Sequence, residues 1–182
     1  MTMILDGTAG VTFPASQTPS MTAYQGGVLT SGTAVASTSG TSIDFTSIPS
    51  WVKRITVMFN GVSTSGASIV QIQIGAGSVT TSGYLSYAVR LANATAISGA
   101  AVTSGFHLQN QIASAVRNGH MVLTNVSSNI WVESHAMGDS SDAATLVGGG
   151  SLSLGGTLDR VRITTVNGTD TFDAGSINIL YE

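Results

Sequence analysis

The chain is poor in charge, cysteine and proline, and each shortage excludes a class of protein. Its 182 residues include no Cys and three Pro, so it can build neither a disulfide scaffold nor a cysteine-based zinc module. Only 8% of the residues are charged, with six Lys and Arg against nine Asp and Glu. Six cations spread over this length cannot neutralise a run of phosphates, which argues against a nucleic acid partner. No apolar run approaches the roughly 18 residues of a membrane span, so we expect no membrane insertion.

Serine, threonine and glycine take the place of the missing charges. The sequence contains 25 Ser, 23 Thr and 22 Gly, and 42% of its residues are hydrophobic. That hydrophobic content excludes a disordered chain, which combines low hydrophobicity with high charge. The mean hydropathy of +0.32 is unusual for a free monomer, which uses surface charge for solubility. Composition leaves two interpretations open: extensive association in a larger assembly, or a surface kept polar by hydroxyl groups.

Alternation of apolar and polar residues recurs from Ile43 to Tyr181 and predicts an all-β fold. In the segment 84–91, for example, Leu85, Tyr87, Val89 and Leu91 share one face, opposite Tyr84, Ser86, Ala88 and Arg90. In strands of this kind one face packs and the other is solvated. About eight to ten short strands predict an antiparallel β-sandwich with a jelly-roll-like arrangement.

Three local patterns refine this prediction. Asn167–Gly168 lies between two strand patterns and predicts a β-hairpin, because both residues tolerate positive φ angles. The stretch 125–129 predicts a second hairpin connection. The segment 108–116 is the one place where a helical turn is expected.

The first forty residues differ from the rest. Residues 1–20 contain two short apolar clusters, and residues 21–40 are mostly Ser, Thr, Ala and Gly. These forty residues have too few apolar side chains to form a core of their own. We therefore predict an extended N-terminal arm over 1–20, a connector over 21–40 and a sandwich over 41–182. The candidate docking residues of the arm are Ile4, Leu5, Val11 and Phe13. The alternative is that these residues form an edge strand of the same domain.

Three segments carry a resemblance to a known group of proteins. Residues 4–14, ILDGTAGVTFP, resemble the short LDG-x-x-G-x-x-F-P segment of many tailed-bacteriophage tail-fibre proteins. Residues 41–63 are similar to a β-module that recurs in phage and prophage fibre-like proteins. Residues 158–182 look like the closing hairpin of that module.

The resemblance implies a structural virion protein of the fibre type, usually a homotrimer, with its arm docked on the particle and its sandwich displayed outward. The expected location is the virion, assembled in the bacterial cytoplasm, and the expected partners are other tail, head or major capsid proteins. A host surface glycan or protein is a possible further partner. Because the chain has no heptads or shaft repeats, a capsid decoration (cement) protein is the alternative. A tailspike-type glycan hydrolase is the third.

One candidate site emerges from the residues themselves. Trp131, Glu133 and His135 alternate on one strand face, where a ring could stack on a sugar and the polar groups could bind its hydroxyls. With Asp139 and Asp142 in the following loop, they form a candidate receptor-binding surface; the alternatives are an intersubunit face or a tryptophan covering the core edge. No catalytic motif, metal ligand set or cofactor-binding motif is recognised: the three histidines lack His-x-His spacing, and no Gly-x-Ser-x-Gly occurs.

Overall fold

The chain folds into strands joined by turns and short loops. The computed structural model describes residues 4–6, 10–12, 29–92, 98–141 and 143–182, and for 4–6, 10–12 and 98 it describes the backbone alone. This part of the chain contains sixteen strands and no helix. They are β1 (Ile4–Asp6), β2 (Gly10–Thr12), β3 (Thr30–Ser31), β4 (Val35–Ala36), β5 (Ser42–Thr46), β6 (Arg54–Thr64), β7 (Val70–Ala76), β8 (Ser78–Val79), β9 (Leu85–Ala92), β10 (Ser98–Val102), β11 (Phe106–Leu108), β12 (Arg117–Ser127), β13 (Ile130–Asp139), β14 (Ala144–Ser153), β15 (Arg160–Thr165) and β16 (Phe172–Tyr181).

Two antiparallel sheets form the sandwich. The larger has nine strands in the order β10-β9-β14-β13-β12-β6-β16-β3, with β4 also paired to β16. The smaller has five strands in the order β11-β7-β15-β5, with β8 paired to β7. A separate two-stranded sheet joins β1 to β2. The predicted all-β, antiparallel β-sandwich is confirmed.

The connectivity explains the jelly-roll-like character. From β5 onward the chain passes repeatedly between the sheets: β5 is in the small sheet, β6 in the large, β7 in the small, β9 and β10 in the large, β11 in the small. The meander β12–β13–β14 then fills the centre of the large sheet before β15 returns to the small sheet and β16 to the large. Such alternation is what two stacked Greek keys produce.

The core lies between the two sheets and is built from the inward side of the alternating strands. Ile55 and Val57 of β6 belong to the same core cluster as Ile72 and Ile74 of β7, and all four side chains are fully buried. The predicted alternation of buried and more exposed residues is confirmed on β6, whereas β7 is buried on both faces, since Gln71 and Gln73 are buried as well. Full burial of such side chains stabilises the fold by about 1.5–3 kcal/mol each.

The predicted connector over 21–40 extends too far. From Leu29 onward the chain lies along the edge of the large sheet, where β3 and β4 pair with β16. The buried Ser37 fixes this segment, because its amide donates to Gly175 O (2.9 Å) and its Oγ donates to Ala174 O (2.8 Å). The sandwich therefore begins before residue 41, and the described part of the predicted connector belongs to it.

Two local predictions are wrong and one is confirmed. Asn167–Gly168 is a turn, with Gly168 at φ 68°, but it joins strands of different sheets and is no hairpin. The segment 108–116 is irregular and contains no helical turn. The connection at 125–129 does join a hairpin, β12–β13. Local turn chemistry identifies the bend at Gly168 but not the sheet in which the next strand pairs.

Candidate functional site

Trp131, Glu133 and His135 share one face of β13, as predicted, but that face is the inner one. Their exposed fractions are 3%, 5% and 7%, and Trp131 belongs to the hydrophobic core. The outward positions of β13 are occupied instead by small and apolar residues, among them Val132 and Ser134. The predicted receptor-binding surface is therefore corrected: in the single chain these side chains are not presented to a ligand.

Glu133 and His135 contact each other inside the sandwich. The distance from His135 Nδ1 to Glu133 Oε2 is 3.1 Å, and both side chains are completely buried. The space for the imidazole comes from Gly148, which pairs with His135 across β13 and β14. A Cβ on Gly148 would lie under 3.0 Å from His135 Cε1. The glycine-rich β14 thus accommodates a polar pair that a larger side chain would displace.

Asp139 is also buried, where we predicted an exposed loop carboxylate. Its Oδ1 accepts hydrogen bonds from the Val116 amide (3.0 Å) and from the Ser141 amide and hydroxyl (3.1 and 2.7 Å), and its Oδ2 accepts one from the Asn110 side chain. It therefore closes the irregular 109–116 segment onto the end of β13. Asp142 lies outside the described residues.

Arg117, at the start of β12, is a buried cation that sequence reasoning missed. It pairs in register with Asp139, is fully buried, and none of its three guanidinium nitrogens has a protein hydrogen-bond partner. Burial lowers the pKa of Arg117 to about 10, and the charge of Asp139 opposes that shift. The sequence does contain a signal for this burial. Arg117 lies an even number of residues before Met121 and Leu123, so it shares the buried face of the same strand with them.

His107 on β11 completes this polar interior. Its amide donates to Ser86 Oγ at 3.3 Å, and neither ring nitrogen has a protein partner. Burial, and to a lesser degree the neighbouring His135, lowers the pKa of His107 to about 4. Buried polar atoms without partners cost free energy. The residues described so far therefore place several polar side chains inside the sandwich, and they offer no exposed binding surface.

The acidic and histidine side chains form no metal or acid–base constellation in the described ranges. No group of three or more His, Cys, Asp or Glu side chains there is placed to hold a metal ion. His120 points outward from β12, whereas His135 points inward from β13. Each described carboxylate contacts a partner that is not another carboxylate, as Asp44 does with Arg162 (2.7 Å) and Asp159 with Arg160 (2.7 Å).

The candidate docking residues of the arm are only partly described. The backbones of Ile4 and Leu5 lie on β1, and that of Val11 lies on β2, in register with Leu5. Phe13 lies outside the described residues. The role of these four residues in docking stays a prediction.

A polar groove of about 380 Å³ lies on the outer face of the small sheet. Its lining side chains bond mainly to one another: Ser104 Oγ donates to Gln71 Oε1 (2.8 Å), and Gln73 Nε2 donates to Ser104 O (2.9 Å). Thr164 Oγ1 similarly donates to Thr41 O (2.8 Å). These bonds tie the 104–105 turn and the chain before β5 to the sheet, which gives the groove a structural role.

The outer face of the large sheet has the most distinctive chemistry. Two rows of outward residues cross seven strands without one Asp, Glu, Lys or Arg, and we call this surface the neutral face. It consists of Gly99, Ala101, Tyr87, Val89, Val147, Gly149, Ser134, Ala136, His120, Val122, Thr56, Met58, Asn178 and Leu180. Two of its neighbours on β9, Leu85 and Leu91, are also exposed. Sequence reasoning missed this face, because strand order decides which residues become neighbours.

Comparison with known proteins gives no relative: no family model, no curated protein and no solved structure matches the chain. Among the described residues there is also no helix long and apolar enough to cross a membrane. We therefore infer function from the chain's own geometry and from the phage-like segments 4–14, 41–63 and 158–182.

Proposed function

We infer that this chain is a structural, non-enzymatic protein of a tailed-bacteriophage particle, docked by its N-terminal arm and displaying its β-sandwich. The observation that carries the proposal is the division of the chain: β1 and β2 pair with each other in a sheet of their own, while β3 to β16 make the sandwich. The resemblance of residues 4–14 and 41–63 to phage fibre segments supports the same division. The jelly-roll-like sandwich is a fold common among viral capsid proteins.

Docking in this proposal is driven by burial of the arm's apolar side chains. Each side chain taken fully out of water contributes roughly 1.5–3 kcal/mol. If several copies dock together, as the homotrimer suggested by the resemblance would, their arms bind with avidity. The partner is then a groove on a tail, head or major capsid protein.

One structural feature favours the capsid decoration alternative over a projecting fibre. Because residues from Leu29 onward already lie on β16, the connector between arm and sandwich is shorter than the sequence pattern indicated. A short tether holds the sandwich close to the surface on which the arm docks. The copy number per particle distinguishes the two roles: a number matching the capsid lattice indicates cement, and one matching the tail or a few vertices indicates a fibre.

Deletion of residues 1–20 tests the proposal. We expect the truncated protein to keep the circular dichroism and melting temperature of the full chain but to be absent from particles assembled in its presence. The full chain, supplied at the same concentration, is the matched control. Normal incorporation of the truncated protein would contradict the anchoring role of the arm.

A further inference from the structure

The segment between β11 and β12 covers part of the sandwich interior with little apolar packing. It consists of residues 109–116, which we call the strap, and it is neither helix nor strand. Within the strap, all of which the structure describes, Ala115 is the one fully buried apolar side chain, whereas Gln109 and Asn110 are buried polar residues. Segments with few buried apolar contacts open more easily than the rest of a fold. The strap therefore depends on hydrogen bonds to stay in place.

Two of those hydrogen bonds end on a single carboxylate, that of Asp139. Its Oδ1 accepts a hydrogen bond from the Val116 amide (3.0 Å), and its Oδ2 accepts one from the Asn110 side chain. Asp139 thus holds the strap near both of its ends. A third bond runs from the Ser140 amide to Val116 O (3.0 Å), beside the first. The carboxylate of Asp139 is therefore the main fastening of the strap.

The strap occupies a carboxylate that Arg117 could otherwise use. Arg117 and Asp139 are opposite each other in the register of β12 and β13, and both side chains are buried. Directly opposed residues of an antiparallel pair lie about 4.5–5.5 Å apart, and opposite charges at such positions attract each other. Yet none of the guanidinium nitrogens of Arg117 has a hydrogen-bond partner among the described residues. The hydrogen bonds of Asp139 to the strap thus leave the buried cation unpaired.

We propose that the strap is a two-state element, either closed on Asp139 or open with Asp139 paired to Arg117. In the closed state the buried guanidinium has no partner, which costs free energy. In the open state water reaches the guanidinium, and the carboxylate is free to pair with it. Arg117 therefore favours opening, whereas the hydrogen bonds of the strap favour closure. This inference goes beyond the proposed function, because it concerns movement within the sandwich and not docking of the arm.

Two atoms of the strap itself favour opening in the same way. Gln109 Oε1 and Asn110 Oδ1 are buried, and no described residue donates a hydrogen bond to either. Opening lets water satisfy both of them. The strands on either side are held more firmly, because β11 pairs with β7 and β12 pairs with both β6 and β13. We therefore expect the opening to be confined to the strap while the sandwich stays folded.

Hydrogen exchange of single amides, followed by NMR on the full chain, measures the opening. The reporter is the Val116 amide, which is bonded to Asp139, and the reference is the amide of Leu123, within β12. Each rate is compared with the intrinsic rate of the same amide. We expect Val116 to be at least about 100-fold less protected than Leu123. Urea below the unfolding transition should accelerate exchange at Leu123 but not at Val116, because local opening exposes little surface.

Three variants test the role assigned to Arg117. Arg117→Met removes the guanidinium and keeps a long buried side chain, so the Val116 amide should exchange at least about tenfold more slowly than in the wild type. Arg54→Met is the matched control, because the side chain of Arg54 is 53% exposed and its loss should leave exchange at Val116 unchanged. Asn110→Ala removes one fastening of the strap and should accelerate that exchange at least about fivefold. Thermal melting of each variant checks folding.

Three results would overturn the proposal. The first is a Val116 amide that matches Leu123 in protection and in urea dependence, since the strap would then open only when the sandwich unfolds. The second is a folded Arg117→Met variant in which Val116 exchanges as fast as in the wild type. The third is an Arg117→Met variant that does not fold, which would show that the guanidinium stabilises the closed state. Incorporation into particles is a separate readout, so these outcomes leave the arm assignment untouched.

Discussion

At the residue scale, the sandwich interior depends on a glycine that makes room for a polar pair. Gly148 pairs with His135, and a Cβ at this position would crowd both His135 Cε1 and Ala88 Cβ. His135 is already held by Glu133 at 3.1 Å, so the imidazole cannot move away without breaking that contact. Overpacking of this kind costs more than the loss of a single methyl contact.

We therefore expect Gly148→Ala to lower the free energy of unfolding by about 1–3 kcal/mol, as overpacked interiors do. The matched control is Gly155→Ala, because a Cβ on Gly155 would meet nothing within 4 Å. The control should stay within about 0.5 kcal/mol of the wild type. Urea denaturation at neutral pH measures both variants, and equal losses in the two would show that His135 does not constrain position 148.

His107 makes the free energy of unfolding depend on pH. Its pKa is about 4 in the folded chain, against an ordinary value of 6.5 that applies after unfolding. Between these values the unfolded chain binds the proton and the folded chain does not. The free energy of unfolding therefore falls as pH drops from about 6.5 to about 4, and the largest loss that this shift allows is about 3.4 kcal/mol.

A comparison of variants isolates this contribution from that of the carboxylates. Urea denaturation at pH 7 and pH 4.5 should show a smaller loss of stability on acidification for His107→Gln than for the wild type. His120→Gln is the control, because His120 is exposed and its removal leaves the buried imidazole in place. An unchanged loss in His107→Gln would mean that this histidine does not titrate between the two states.

At the element scale, the edge formed by β3 and β4 decides where the folded unit begins. Gly32 donates its amide to Ile179 O (2.8 Å), and Ser37 adds two hydrogen bonds to the bulged part of β16. Each such bond contributes about 0.5–1.5 kcal/mol, and the segment also covers an otherwise open strand edge. Residues 29–40 are therefore part of the sandwich energetically as well as topologically.

Two truncations test this boundary. We expect a chain lacking residues 1–28 to unfold at the same urea concentration as the full chain. A chain lacking residues 1–40 should lose at least about 1.5–4.5 kcal/mol of stability, the sum of the three bonds named above, and should scatter light through association of the bare β16 edge. Identical midpoints for the two truncations would show that β3 and β4 contribute nothing to folding.

The same elements show what the sequence could and could not predict. Period-two alternation identified most of the sandwich strands, because residues i and i+2 of a strand, such as Val57 and Phe59, lie on one face and are buried together. It could not decide which face of β13 points inward, since Glu133 and His135 alternate as regularly as Val132 and Ser134. Nor could it detect β3, where two short polar residues form a strand through their pairing with Leu180 and Tyr181 of β16.

At the scale of the whole molecule, the two outer faces of the sandwich differ in chemistry. The small sheet presents arginine–carboxylate pairs and a hydrogen-bonded polar groove, whereas the large sheet presents the neutral face. The few charged residues are thus unevenly distributed over the described surface, and the two outward rows of the neutral face contain none of them.

For the homotrimer that the resemblance implies, this distribution predicts how association between copies should respond to salt. Contacts made by exposed ion pairs weaken as ionic strength rises, because salt screens surface charges within about 10 Å at 0.1 M. Contacts made by the neutral face contain no ion pairs for salt to screen. Raising sodium chloride from about 0.05 M to about 0.5 M should therefore change the dissociation constant less than about threefold. Sodium sulfate should strengthen association, since it favours burial of apolar surface. Sedimentation equilibrium across both salts measures the response, and a tenfold weakening in sodium chloride would instead indicate contact through the Asp44–Arg162 side of the sandwich.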